Sequence, residues 1–396
     1  MSVSSPSAIV AHTVRRAPGA VVARTRLRAA TLLVLCLATR LDAQRGTSTN
    51  ARGTPGTKAA PAARATTTST TLVRRLRPDS VWRKVWSIAE DESTDRFIEP
   101  RSVVATGDLA VVLDDGTREV HALDARTGAT RFVLKPTGQG PGEFRRPAKL
   151  AATPTGFAVL DHANARLTAY DRRGKMEWDA ILSDVFSIGG LCIGPGPRIV
   201  ATMDRRDSSI VEFDTTGRRR AMRSIPWQEL VRGGVDFTYA HSASSASPSG
   251  ACVVAPLFGA EWAAIPESGP SRAYRVLDPG PQPVVVVTER VLERTLSKVI
   301  VQGNHQSDTP QASRGALVLG DTAIVYAAIS KEFPLRMLDY YRLSTGEYLY
   351  SRKLPFVANG VTVGRDGTYY LTSIGPTRNV IIALRPATVA EATRTR

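Results

Sequence analysis

The stretch GQGPGEFRRPAKLAATPTGFAVLDHANARLTAYDRRG, Gly138 to Gly174, decides how the whole chain is read. Gly138, Gly140, Pro141 and Gly142 cannot share the interior of a helix or strand, so they mark a tight connection. Pro147 to Leu150 is a short extended run, and Phe157-Ala158-Val159-Leu160 is a continuous apolar run of strand length, ended by Asp161. Ala163-Asn164 signals a turn and Arg166 to Tyr170 a third strand; Asp171-Arg172-Arg173-Gly174 is a second turn, and Lys175 to Trp178 a last short strand. Four strands in roughly 40 residues match one blade of a β-propeller. Apolar residues at consecutive positions suit a sheet covered on both faces, as a blade is by its neighbours.

Weaker copies of the same skeleton surround this blade. Leu109–Leu113, Glu119–Leu123 and the turn Asp124–Gly128 form one. Arg198–Asp204, Ile210–Phe213 and Asp214–Gly217 form another. Ala251–Leu257, Glu261–Ile265 and Pro266–Gly269 form the next, followed by Thr322–Ile329, Met337–Arg342 and Leu343–Gly346. Asp366-Gly367, Thr368–Ile374 and Val380–Leu384 close the series, so the chain holds six units. The last unit lacks a fourth strand, because the chain turns polar after Leu384. Ser80 to Ile88 (SVWRKVWSI) precedes the first unit and has no unit of its own. The expectation is an all-β, six-bladed β-propeller whose last blade is completed by this N-terminal strand, since ring closure removes exposed sheet edges.

The residues also carry a resemblance. The pattern GxGPGEF with a following proline, then D-x-x-N-x-R, then D-x-x-G, resembles the NHL-repeat family and related bacterial six-bladed propellers. The matching positions are Gly138 to Phe144, Pro147, Asp161, Asn164, Arg166, Asp171 and Gly174. The full pattern occurs once. The resemblance implies a rigid ring that presents a binding face. Rings of this kind also include amidating lyases and, among related folds, calcium-dependent lactonases of the gluconolactonase-like kind.

Charge and composition bound the partners. The chain of 396 residues carries a formal +16. Thirteen of the 52 basic residues but one of the 36 acidic ones precede residue 79, which puts +12 there and +4 on the remainder. The excess belongs to the N-terminal segment and not to a basic face of the ring, which argues against nucleic acid. Arg24, Arg26 and Arg28 precede an apolar run from Ala29 to Ala38, the pattern of a secretory signal with cleavage after Leu41-Asp42-Ala43. That run is too short to span a bilayer, which takes roughly 20 residues. The expected organisation is a signal peptide over 1–43, a disordered basic Thr/Ala/Pro/Gly linker over 44–78, the propeller over 79–387 and a tail over 388–396. An exported monomer follows, in the periplasm, at the cell surface or secreted.

Cys192 and Cys252 remain after signal cleavage. Export permits a disulfide, but the residue pattern favours two buried thiols behaving as small hydrophobes. The repeat alignment sets Cys192 on an innermost strand and Cys252 on the second strand of the next blade.

No catalytic signature is present: no phosphate loop opening a helix, no CxxC, no HExxH and no G-x-S-x-G. His12 falls in the leader, and His121, His162, His241 and His305 scatter over different units, which reads as surface or core rather than a ligand set. Asp114, Asp161 and Asp204 each end a second strand, where recurrence favours turn formation over a calcium site. Asn164 suits a left-handed turn position, and Arg166 suits inter-blade packing with an acidic partner. Trp82, Trp86, Trp178, Trp227 and Trp262 fit blade packing. No catalytic, cofactor-binding or metal residues are assigned, and no cofactor is expected.

One insert departs from the pattern. Between the fourth and fifth units Val291, Leu292, Leu296, Val299 and Ile300 recur at helical spacing, with Thr288 as N-cap and Gly303 at C′. This predicts a helix over Thr288 to Gln302 at the rim. The functional expectation is non-catalytic binding of a protein, peptide or glycan on one face of the disc. The alternative is a calcium- or zinc-dependent hydrolase, lactonase or lyase with its site at the central axis.

Overall fold

The computed structural model describes residues 9–10, 81–89, 97–135, 138–182, 188–196, 198–203, 210–226, 250–256, 261–277, 285–294, 299–307, 313–327, 335–375 and 379–387. The segment quoted above forms blade 2. Its four strands, Pro147–Ala152, Gly156–Asp161, Arg166–Asp171 and Met176–Ile181, pair antiparallel in chain order. Gly156–Asp161 is buried at every position, whereas the outermost strand is largely open to solvent.

Blade 1 (Pro100–Thr106, Leu109–Asp114, Glu119–Asp124, Thr130–Leu134) repeats this plan. So do blade 3 (Ile188–Ile193, Ile199–Met203, Ile210–Phe213, Arg219–Arg223) and blade 5 (Ser313–Leu319, Thr322–Ala327, Met337–Arg342, Tyr348–Lys353). Blade 4 contributes Cys252–Val254, Glu261–Ile265 and Arg272–Arg275. The turn at Pro266–Gly269 sits between the last two, where other blades join third strand to outer strand. These three are therefore the second, third and outer strands of blade 4.

Blade 6 combines the two ends of the fold. Gly360–Val363, Tyr369–Ile374 and Asn379–Ala387 are joined by Val81–Ala89 as the outermost strand. Trp82 faces Pro386 and Ile88 faces Ile381 in the register. The innermost strand of blade 6 then packs beside that of blade 1.

Six separate hydrophobic clusters make the same point energetically. Each blade interface has one: blades 1–2 around Phe157 and Val111, 2–3 around Leu160 and Phe213, 3–4 around Cys192 and Cys252, 4–5 around Trp262 and Tyr341, 5–6 around Tyr340 and Leu371, and 6–1 around Trp86 and Val112. A sheet buried on both faces in this way needs apolar residues at successive positions, which is why the strands read as apolar runs.

The recurrent Asp-containing turns have a local cause. Asp124, Asp171 and Asp214 accept backbone N–H donors from two to four residues ahead. The glycines that end these turns, Gly128, Gly174 and Gly217, have φ between 74° and 81°, a region that disfavours any Cβ.

Three sequence expectations are corrected. Among the described residues of Thr288 to Gln302 no helix occurs. Val285–Arg294 and Val299–Ser307 are strands, adjacent in a separate three-stranded sheet with Ile9–Val10. The run Val284–Thr288 and the run Val299–Val301 are β-branched, and that stiffness at χ1 outweighs the helical spacing of the apolar residues. Cys192 and Cys252 are disulfide-bonded, with Cα atoms 6.0 Å apart, and are not free thiols. They lie in one cluster across the blade 3–4 boundary, within the reach a disulfide needs. Finally, the left-handed residue of the blade 2 turn is Ala165, with φ 52°, and not Asn164. The signal sequence over 1–43 (Ile9–Val10 apart), the linker over 44–78, the tail over 388–396, His12, His241, Asp204 and Trp227 lie outside the described residues. No helix among the described residues is long and apolar enough to cross a membrane.

Candidate functional site

The end of the ring where the innermost strands begin collects most of the chemistry the sequence singled out. Asp114 and Asp161 organise it. Asp114 accepts the N–H groups of Ile98 and Glu99 at 2.7 Å each, and that of Gly116 at 3.0 Å. Asp161 does the same for Arg145 at 2.8 Å, Arg146 at 2.9 Å and Ala163 at 2.9 Å. Each carboxylate thus ties the connection from the previous blade to its own second strand and to its own turn. Both are fully buried and spent on backbone donors.

Around this frame the sectors differ in charge. In blade 1, Arg101 pairs with Glu99 and lies 3.4 Å from Asp115. Glu119 takes Lys135 at 3.1 Å and lies 3.3 Å from His121 Nε2, so this sector is neutralised internally. His121 is buried, its ring centroid 4.5 Å from that of Phe97.

Blade 2 is different. Arg145 and Arg146 are exposed, and Lys149 and His162 are half-buried behind them. Lys149 stands on the innermost strand between Pro147 and Leu150, and among the described residues no carboxylate pairs with it. Burial alone pushes its ammonium down to about 8. Burial holds His162 down to about 4, and the Lys149 and Arg146 cations push the same way against Asp161. His162 is therefore neutral at pH 7. The sector keeps three cations, while Asp161 is committed to backbone donors and Glu143, in the same connection, accepts the Gly140 N–H at 2.6 Å. In blade 5, Arg314 donates to the Ala358 carbonyl at 3.2 Å and Arg336 to that of Leu354 at 3.0 Å, and among the described residues no carboxylate pairs with either. Guanidinium and ammonium groups left without counterions favour an anionic partner.

The other sequence-selected residues do structural work. Asn164 donates to the Gly138 carbonyl at 2.9 Å, which fastens the glycine-rich connection to the blade 2 turn. Arg166 pairs with Asp179 on the outer strand of its own blade. Trp262 is fully buried, with ring centroids 4.7 Å from Tyr274 and 5.5 Å from Tyr341. The side chain of His305 lies outside the described residues. Among the described residues no three His, Cys, Asp or Glu side chains converge as a metal site. Sequence reasoning passed over Arg145, Arg146 and Lys149. The signal was a lysine in an otherwise apolar innermost strand, preceded by two arginines.

No family model matches the chain, and no curated protein matches it. Solved structures do. A streptogramin B lyase is 12% identical, with 76% of this chain and 98% of that one covered and a TM-score of 0.45. BamB from Moraxella catarrhalis is 14% identical, with 77% and 98% covered and a TM-score of 0.37. The Neurospora crassa Pan2 WD40 domain is 10% identical, with 80% and 99% covered and a TM-score of 0.41. The assignment of the chain as a six-bladed β-propeller stands on its own strand order and its six interface clusters.

Proposed function

We propose that this protein is an exported, non-catalytic binding module of the NHL-like kind. Its blade 2 sector holds an anionic group of a protein, peptide or glycan. The observation that carries this reading is the unneutralised cluster of Arg145, Arg146 and Lys149 at the end of the ring where the innermost strands begin. A desolvated ammonium without a counterion costs stability, and such costs concentrate where binding needs them. Two features support export. Arg24–Arg28 followed by Ala29–Ala38 has the form of a signal, and a structural disulfide suits an oxidising compartment.

The test is thermal unfolding of the mature protein with a poly-glutamate peptide and, separately, a dextran sulfate oligosaccharide, which carries no uronate. One of the two should raise the midpoint of the wild type at low salt and do so less at high salt. The double variant Arg146→Ser/Lys149→Met should lose that rise. An equal rise in the variant, or no rise with either probe, refutes the proposal.

A further inference from the structure

A groove between blades 5 and 6 offers a second, unrelated binding chemistry. It opens at the opposite end of the blades, where the first and second strands turn, beside Leu319–Thr322 of blade 5 and Asp366-Gly367 of blade 6. The cavity measures about 260 Å³, near the lower edge of the ~300 Å³ typical of small-molecule sites. It is the right scale for a single ring rather than a long chain.

Its floor is aromatic and locked. Tyr340 and Tyr369 are buried and share a hydroxyl–hydroxyl hydrogen bond of 2.6 Å. The Tyr350 ring stacks on Tyr340 at 4.3 Å between centroids and is itself half-exposed at the wall. Trp82 of the closing strand packs edge-on against Tyr369 at 5.3 Å, and its Nε1 donates to the Lys353 carbonyl at 2.7 Å. The closing strand thus buttresses the floor from behind.

The walls are charged. Arg385 pairs with Asp366 and donates to the Thr368 hydroxyl at 2.7 Å. Arg352 lies with its guanidinium carbon 5.5 Å from the Tyr350 ring centroid, and among the described residues no carboxylate pairs with it. The groove thus carries two cations and one anion, and the surplus cation lies over an aromatic face.

We propose that this groove binds an acidic monosaccharide unit of the hexuronate class, its carboxylate on Arg352, whose guanidinium the Tyr350 ring holds in place. A guanidinium fork matches a carboxylate in a bidentate pair, and a cavity of this size admits one sugar ring. The hydroxyls of the same ring reach Asp366 and Thr322, which line the same cavity; Asp366 already takes Arg385 and Thr368, and its carboxylate oxygens accept further hydrogen bonds. The inference is independent of the blade 2 site, which lies at the other end of the blades.

The test is isothermal titration of the mature protein with D-glucuronate, D-glucose and benzoate, the last two supplying the ring without the charge and the charge with a planar ring. Glucuronate should bind at least tenfold more tightly than either. Arg352→Gln should weaken it by roughly 10- to 100-fold, the worth of a charge-assisted hydrogen bond, and Arg352→Lys should restore part of the loss. Tyr350→Ala, should Arg352→Gln fail to fold, must weaken glucuronate as well. Lys149→Met should leave glucuronate binding unchanged, so failure of the blade 2 proposal is read separately. Equal binding of benzoate or glucose, no binding of glucuronate, or full affinity in a folded Arg352→Gln overturns the inference.

Discussion

Replacing Lys149 by methionine should make the protein more stable at neutral pH, against the usual direction of a point substitution. The ammonium stands half-buried on the innermost strand of blade 2, and burial drops its pKa from 10.5 to about 8. The folded pKa is lower than the unfolded one, so the unfolded chain binds the proton more tightly between these two values. Stability therefore rises with pH through the window from 8 to 10.5 and is lowest below it. At about 1.4 kcal/mol per pKa unit the charge costs a ceiling of roughly 3 kcal/mol at pH 7, reduced by the solvent that still reaches the side chain. Methionine keeps most of the length and removes the charge. Urea unfolding at pH 7 should show Lys149→Met more stable by about 1–3 kcal/mol, with the advantage shrinking as the pH approaches 10.5. The same variant should raise the His162 pKa from about 4, because one of the cations pressing on it is gone. A variant no more stable than wild type at pH 7, or an advantage that does not change with pH, refutes the reasoning.

Four further outcomes are expected. Cys192→Ala/Cys252→Ala should lose about 4 kcal/mol by the chain-entropy estimate for a loop of 60 residues, read as a lower denaturation midpoint in urea, with reductant reproducing the shift in the wild type. Trp86→Ala should cost about 3–5 kcal/mol, because this buried ring fills the blade 6–1 interface and donates to the Ala125 carbonyl at 2.9 Å; deletion of 81–89 should leave an open sheet edge and an aggregating product by light scattering. Asp124 is held down to about 2 chiefly by its hydrogen bond from Arg131, and Asp214 to about 2 chiefly by the Thr216 hydroxyl. Their folded values lie below the ordinary 3.8, so their stabilisation is present above pH 4 and is lost as the pH falls towards 2; Asp124→Asn/Asp214→Asn should flatten the acid limb of the melting-temperature profile.

The contrast between the insert and the blades shows which kinds of structure local sequence specifies. A blade is built from features that act over a few residues. Asp171 reaches the N–H groups of Arg173 and Lys175, Gly174 supplies the left-handed turn, and Phe157–Leu160 is apolar at each step because both faces of its sheet are covered. The insert has no such punctuation. Its apolar residues fit helical spacing and strand spacing alike, and β-branched stiffness decided for strands. Ring closure was also legible, because Ser80–Ile88 is a strand without a unit and the last unit lacked a strand.

The sequence by itself determined the number of blades, the position of their turns and the identity of the closing strand. Each of these follows from interactions between residues near in the chain, repeated often enough to be counted. Only the tertiary structure decided that Cys192 meets Cys252, that Lys149 stands beside His162 with no counterion among the described residues, and that Tyr340, Arg352, Tyr369 and Arg385 share one groove. The first and last of these juxtapositions depend on how one blade is rotated against the next. That angle is set by the packing of whole interface clusters, and no pair of neighbouring residues encodes it.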